Sequence, residues 1–161
     1  MAVKEGDKVP SAKLKVKTSD GIKDVNTDEY FKGRKVVLFA LPGAFTPTCS
    51  AKHVPGFVQN YDQLKQKGVD KIACVSVNDA FVMEAWGRDQ KCDSKVDMLA
   101  DGNGDFTRAL GLEMDASAYG MGTRSTRYAI YAEDGVAKQV LVEAPGEFRV
   151  SSADHVLSQL S

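Results

Sequence analysis

The sequence predicts an α/β fold, a central mixed sheet with helices on both faces and a hairpin near the amino terminus. Three observations carry that expectation. Residues 36–41 are an uninterrupted apolar run and residues 72–77 are apolar but for Ser76, the pattern of strands buried on both faces of a parallel sheet. Segments with apolar residues at helical spacing follow both runs, giving the strand–helix alternation of an α/β protein. The chain then changes character: residues 127–132 and 136–142 flank Glu133-Asp134-Gly135, the clearest antiparallel hairpin signal in the chain.

Taken in order, residues 11–26 alternate weakly. Leu14 and Val16 precede Ser19-Asp20-Gly21, and Ile22 and Val25 follow it, which reads as a hairpin. Thr27 is expected to cap a short helical turn over residues 27–31. A strand over 35–41 leads into Leu41-Pro42-Gly43-Ala44-Phe45-Thr46-Pro47-Thr48-Cys49, and a helix follows on the spacing of Val54, Phe57, Val58, Tyr61 and Leu64. Pro55 lies inside that helix. It is expected to kink it, or to split off a short first turn carrying Cys49. A strand over 71–77 precedes Asn78-Asp79, a cap for a helix in which Phe81, Val82, Ala85 and Trp86 share a face. Residues 89–95 are polar and loop-like. Residues 96–100 form a third strand ended by Asp101-Gly102-Asn103-Gly104, and Phe106 and Leu110 mark a short helix stopping near Gly111. Residues 114–122 read as irregular. After the hairpin, Ser151-Ser152-Ala153-Asp154 begins a last helix carrying Val156, Leu157 and Leu160.

A length of 161 residues predicts one domain over 1–161, long enough to bury a core without staples. Charged residues make up 27% of the chain and balance to a net −1, so no basic surplus points to a nucleic-acid partner. No apolar run approaches the roughly 20 residues of a membrane span. Residues 1–7 lack an apolar leader core, and Glu5 and Asp7 are unlike a transit peptide, so the expected location is the cytoplasm. Cys49, Cys74 and Cys92 are odd in number and irregular in spacing. They make neither a disulfide framework nor a zinc ligand set, and no metal or cofactor is expected. Gly120-Met121-Gly122-Thr123 lacks the Lys-Ser/Thr end of a phosphate loop.

One cysteine sits where a strand hands over to a helix. The first turn of a helix presents unpaired N–H groups and the positive end of the dipole, and both favour a thiolate. A free thiol has a pKa of about 8.5, and helix starts with neighbouring cations lower such groups to roughly 3.5–7.5. Around Cys49, Thr46 and Thr48 offer hydroxyl donors, Pro42 and Pro47 stiffen the loop, and Gly43 allows close backbone approach. The competing reading is an ordinary buried cysteine beside a proline turn. His53, four residues on, is either a base in a Cys–His hydrolase pair or a surface or hydrogen-bonding histidine. His155 is expected on the solvated side of the last helix. Arg124 and Arg127 are both distant cations able to assist the sulfur, and the residues alone do not separate them.

The segment Pro42-Gly43-Ala44-Phe45-Thr46-Pro47-Thr48-Cys49-Ser50 resembles the active-site signature of the peroxiredoxins, Pro-x-x-x-Thr-x-x-Cys. The flanking text is similar to the type II, peroxiredoxin-five-like subgroup. It includes Lys52-His53-Val54-Pro55-Gly56-Phe57, Val75-Ser76-Val77-Asn78-Asp79, Leu99-Ala100-Asp101-Gly102, Leu110-Gly111-Leu112-Glu113 and Gly122-Thr123-Arg124-Ser125. The resemblance runs from about Gly6 to the carboxyl terminus and implies a thioredoxin-like fold. It implies a thiol peroxidase acting on hydrogen peroxide and alkyl hydroperoxides in antioxidant defence and redox homeostasis. Cys49 would be the attacking thiolate, oxidised to a sulfenic acid. Thr46 and Arg127, with backbone N–H groups of Thr48 and Cys49, would hold the peroxide oxygens, and Gly43 would line the substrate site. Pro42 would shield the sulfenate.

Animal members of the subgroup carry a resolving cysteine near the last helix, where this chain has Glu147-Phe148-Arg149-Val150-Ser151-Ser152. Cys74, 25 residues after Cys49, is spaced as in plant type II enzymes and is a candidate resolving cysteine, but its apolar neighbours mark it as buried in a strand, so that role would require local unfolding around Pro55. Cys92, in a polar loop, is expected to be exposed. The economical scheme uses one obligatory cysteine, reduced by an external thiol such as glutathione, glutaredoxin or thioredoxin. The resemblance also implies a homodimer, in which Phe45, Phe81 and Trp86 either supply apolar contact or belong to the ordinary core. A cysteine hydrolase and a non-catalytic thioredoxin-like module are the alternatives. Oxygen gain or a mixed disulfide at Cys49 with peroxide turnover, ester turnover without peroxide sensitivity, and inertness distinguish the three.

Overall fold

The apolar runs form the centre of a seven-stranded sheet in a computed structural model that describes residues 2–92 and 94–160. Met1, Ser161 and Asp93, the last within the expected 89–95 loop, lie outside the described residues. The main strands are β1 (Lys13–Thr18), β2 (Gly21–Asn26), β3 (Lys35–Ala40), β4 (Lys71–Ser76) and β5 (Asp97–Ala100). A short pair, β6 (Glu113–Asp115) and β7 (Thr123–Ser125), precedes β8 (Tyr128–Glu133) and β9 (Val136–Val142). The sheet order is β2-β1-β5-β4-β3-β8-β9. Strand β4 runs parallel to β3 and β5, while β8, β9 and the β1–β2 hairpin join antiparallel.

The central strands bury both faces, so successive residues feed opposite cores. Val37, Phe39, Ile72, Cys74 and Ala129 face one apolar layer, and Val36, Leu38, Ala73, Val75 and Ile130 face the other. The first layer is covered by α2 (Val54–Gln59), α3 (Tyr61–Gln66), α4 (Ala80–Asp89) and α6 (Ala153–Gln159), through Phe57, Leu64, Trp86 and Val156. The second is covered by α1 (Thr27–Phe31) and α5 (Asp105–Leu110), through Phe31, Phe106 and Leu110. No helix among the described residues is long and apolar enough to cross a membrane.

The β8–β9 turn is Asp134-Gly135, with φ of 50° and 79°, the paired left-handed geometry that two-residue hairpins favour. Several local expectations are corrected. Asn26, not Thr27, caps α1, accepting from the Asp28 N–H at 3.0 Å; the Thr27 hydroxyl is turned to the Pro10 carbonyl at 2.7 Å. In α4 the buried face is Ala80, Met83, Trp86 and Gly87, and Phe81 projects outward. Residues 113–125 are not all irregular, because β6 pairs with β7 around a 3-10 turn at Ser117–Tyr119. Polar neighbours also misled for Cys92, which is buried against the first layer with 2% exposure. His155 is half-buried rather than freely solvated.

Asp101 ends β5 and holds α5 with its carboxylate. It accepts from the Phe106 N–H at 3.2 Å, and from the Thr107 N–H and hydroxyl at 2.8 and 2.7 Å, all buried. Replacing one oxygen by an amide N–H₂ sets donor against donor. Asp101→Asn is therefore expected to destabilise the fold by about 1–3 kcal/mol in urea unfolding. A midpoint equal to wild type would contradict this account of the α5 start.

Candidate active site

Cys49 opens a π-helical turn, Cys49–His53, immediately before α2. The Val54 N–H donates back to the Cys49 carbonyl, five residues earlier. Pro55 explains the widening. It has no N–H to give, and its ring crowds the carbonyl four residues before it, so a regular α-turn is disfavoured here. The expected split at Pro55 is present, and a second break at Asn60 separates α2 from α3.

The loop before Cys49 is fastened on several sides. The Asn78 side-chain oxygen accepts from the Ala44 N–H at 3.0 Å and from the Ser76 hydroxyl at 2.6 Å. Arg124 reaches the Pro42 carbonyl at 3.3 Å and the Met121 carbonyl at 3.0 Å. The Trp86 ring lies 6.3 Å from that of Phe45 and, just past Cys49, its indole N–H donates to the Ser50 hydroxyl at 3.0 Å. A Cβ at Gly43 would lie 2.9 Å from Arg124 Nη1 and 3.2 Å from the Met121 methyl, so the close approach expected of this glycine is real. Phe45 holds φ of 64°, a left-handed conformation that bulky residues rarely adopt, and its ring is 53% exposed. The Thr46 hydroxyl donates to the Gly43 carbonyl at 2.6 Å. Its proton is thus engaged within the loop and is not aimed at sulfur.

The sulfur's neighbour is Arg127. Its Nη2 donates to Cys49 Sγ at 3.2 Å, and its Nη1 donates to His53 Nδ1 at 2.8 Å. Strand parity separates the two arginines. Arg127 lies two residues before Ala129, which faces the layer containing Cys49, whereas Arg124 lies outside β8 and braces the loop. The Phe148 ring packs beneath, 5.7 Å from the guanidinium carbon and 5.0 Å from the His53 ring.

His53 is fully buried, so the surface alternative is set aside and the hydrogen-bonding one holds. Its Nε2 lies 3.0 Å from the Ser151 carbonyl. A guanidinium only donates and a carbonyl only accepts, so Nδ1 carries the lone pair and Nε2 the proton. Burial first, and the Arg127 charge second, press its pKa down to about 3. Both ring nitrogens are occupied away from the thiol. His53 is therefore not arranged as the base of a Cys–His hydrolase pair.

Glu143, unnoticed in the sequence, anchors this group. Burial acts to raise its pKa, but hydrogen bonds from Arg149, Ser151 and Val150 outweigh it and hold the carboxyl below its ordinary value. A cavity of about 310 Å³ beside the site is lined by Pro42, Thr48, Lys52, Arg127, Glu143 and Phe148, among others. Cys49 itself is buried. Cys74 is buried in the same layer, and burial pushes its thiol pKa up. No cluster of side chains suited to a metal occurs among the described residues.

Residues 4–157 match the Redoxin family. The chain is 54% identical over 160 residues to Peroxiredoxin-2E-2, chloroplastic, of Oryza sativa, covering 96% of this chain and 71% of that protein. It is 47% identical over 156 residues to Peroxiredoxin-2B of Arabidopsis thaliana, with 96% of each covered. Its fold is similar to the crystal structure of reduced Prx3 in complex with H2O2 from Vibrio vulnificus, with a TM-score of 0.96, 51% identity and 99% of each chain covered.

The depressed His53 pKa links stability to acidity. Unfolded, this histidine takes up a proton near its ordinary 6.5; folded, it resists down to about 3. Stability is thus full above 6.5 and falls as the pH drops from there toward 3, by about 1.4 kcal/mol per pH unit from this group alone. Glu143 adds loss in the same direction at lower pH, as its carboxylate is protonated. Urea unfolding at pH 7 and pH 5 is expected to show the drop in wild type and a shallower one in His53→Gln. An unchanged slope in the variant would contradict a neutral, buried His53.

Proposed function

Since the chain belongs to the Redoxin family, within it to the type II, peroxiredoxin-five-like peroxiredoxins, and is a thiol-dependent peroxidase, we propose that Cys49 is its reacting sulfur and Arg127 the group that holds charge beside it. The observation that carries this reading is the guanidinium 3.2 Å from Cys49 Sγ, fixed from its other end by a neutral histidine.

In this scheme the Cys49 thiolate attacks the hydroxyl oxygen of a peroxide. A sulfur–oxygen bond forms and the oxygen–oxygen bond breaks. Sulfur keeps the hydroxyl as a sulfenic acid, and the other oxygen leaves with the electron pair, taking a proton to become water or an alcohol. Arg127 opposes the charge shared between sulfur and the leaving oxygen, the logic of an oxyanion site. Thr46 acts differently from the expected donor. With its proton given to Gly43, its oxygen offers lone pairs, so it would accept the peroxide O–H and orient it. Pro42 and Thr48 flank the approach from the cavity, and Gly43 lets the loop pass close to Arg124. Hydrogen peroxide is the first substrate to try, given the ligand named in the Vibrio vulnificus structure.

The sulfenic acid is recycled, in our reading, by an external thiol such as glutathione, glutaredoxin or thioredoxin. Cys74 is an unsuitable partner in this closed arrangement, because burial holds its thiol protonated. The dimer proposal rests on two exposed aromatic rings, Phe45 at 53% and Phe81 at 62%. Trp86 drops out of it, being fully buried and bonded to Ser50.

Rapid mixing with hydrogen peroxide, read by the single tryptophan, tests the assignment. Cys49→Ser is expected to abolish consumption, and Arg127→Gln to slow it by about 100- to 1,000-fold with the fold intact. Consumption by Cys49→Ser at the wild-type rate would overturn the reading. In steady state, addition of an external thiol should restore turnover in Cys74→Ser as in wild type.

A further inference from the structure

Glu143 ends up in an unusual position just past β9. It is 5% exposed, and among the described residues its carboxylate makes no ion pair. It accepts instead from main chain: the Arg149 N–H at 2.9 and 2.8 Å on its two oxygens, the Val150 N–H at 2.9 Å, and the Ser151 N–H at 2.8 Å. The Ser151 hydroxyl adds a contact at 2.7 Å. One carboxylate therefore curls residues 149–151 around itself. Hydrogen bonds to a charged acceptor are stronger than neutral ones, and here they converge on a single group out of water.

The strap so formed has one further bond of consequence. The Ser151 carbonyl receives the His53 Nε2–H at 3.0 Å, and His53 receives Arg127 through Nδ1 at 2.8 Å. On its own backbone, Glu143 donates its N–H to the Arg127 carbonyl at 3.0 Å. Phe148, within the same strap, lies against both the His53 ring and the guanidinium. Glu143 thus holds the main chain of Arg127 on one side and the far end of its side-chain support on the other.

We propose that Glu143 is a positioning residue of the peroxide reaction, fixing through Ser151 and His53 the rotation of the Arg127 guanidinium against Cys49. It deepens, and rests on, the reading of Cys49 and Arg127 as the reacting centre. Without the carboxylate the strap keeps no internal acceptor for its N–H groups. The Ser151 carbonyl then loses its fixed direction, the imidazole is free to turn, and the guanidinium is no longer held square to the sulfur.

A double-mutant cycle on the full chain tests this. Glu143→Gln is expected to slow the reaction of Cys49 with hydrogen peroxide about tenfold, and adding it to Arg127→Gln should slow that variant less than about twofold further, because groups acting through one another do not add. In wild type the buried His53 Nε2–H should give a slowly exchanging proton resonance, shifted or lost in Glu143→Gln at a temperature where circular dichroism shows the variant folded. If Glu143→Gln does not fold, Ser151→Ala replaces it. That change removes one donor to the carboxylate, keeps the carbonyl, and should show a smaller slowing with the same non-additivity. A folded Glu143→Gln reacting at the wild-type rate, or a double variant slowed by the product of the two effects, overturns the proposal while leaving Cys49 and Arg127 in place. Absence of any Cys49-dependent peroxide consumption in wild type would overturn the functional reading and the proposal together.

Discussion

A guanidinium has donors and no acceptor, and that asymmetry organises the site. Arg127 gives one nitrogen to Cys49 Sγ and another to His53, so each must present a lone pair or negative charge. Histidine meets the demand only when neutral and in one tautomer. Its burial keeps it neutral, and the Ser151 carbonyl selects the tautomer by taking the Nε2 proton. The carbonyl in turn needs a loop that does not drift, which Glu143 supplies. A lysine at position 127 would carry the same charge but no planar fork spanning sulfur and imidazole at once. The site is thus a chain of acceptors laid out to suit one donor.

The sheet delivers the two ends of that chain. Cys49 follows β3, and Arg127 precedes β8, which pairs antiparallel to β3 with Ala40 opposite Tyr128. The end of one strand and the start of its antiparallel neighbour meet at the same end of the sheet. Parity then selects the layer, since residues 127, 129 and 131 share a face. The loop between β3 and Cys49 cannot rest on regular pairing. It is held instead by Asn78 beyond β4, by Arg124 from β7 and by the Trp86 ring of α4 beside Phe45. That many outside anchors can support a bulky residue in a left-handed conformation, as at Phe45, where local preference opposes it.

What could be read in the sequence is what depends on near neighbours. Continuous apolar runs announced the central strands, Asp134-Gly135 announced a turn that needs two left-handed residues, and Asp79 announced a cap, which it makes to Val82 at 2.8 Å. The position of Cys49 after a strand and before a proline-broken helix was equally visible. What escaped depends on partners far along the chain. Nothing local marks Asn78 as a loop anchor rather than a cap, nor Glu143 as a buried acceptor, because their bonds reach 34 and 8 residues away. His53 is 98 residues from the carbonyl that fixes its tautomer. Cys92 was misjudged for a related reason: polar neighbours say little about which side of a turn faces the core. For Arg127 against Arg124, counting back from the apolar positions of β8 by twos was the usable signal.

The same packing that readies the sulfur also limits it. Cys49 is fully buried, and a thiol reductant is far bulkier than a peroxide. Residues 49–66 are cut into three pieces by Pro55 and Asn60: a five-residue π-turn and two six-residue helices. Helices so short have little stability of their own, so their order comes from contacts such as Phe57 stacked on Phe39 at 4.1 Å and Trp86 bonded to Ser50. The π-turn is the piece most dependent on such contacts: Cys49 and His53 both receive Arg127, and His53 packs against Phe39, Phe57 and Phe148. Side-chain contacts, rather than a continuous run of helical hydrogen bonds, therefore set the sulfur against the guanidinium in a segment whose regular helix Pro55 interrupts.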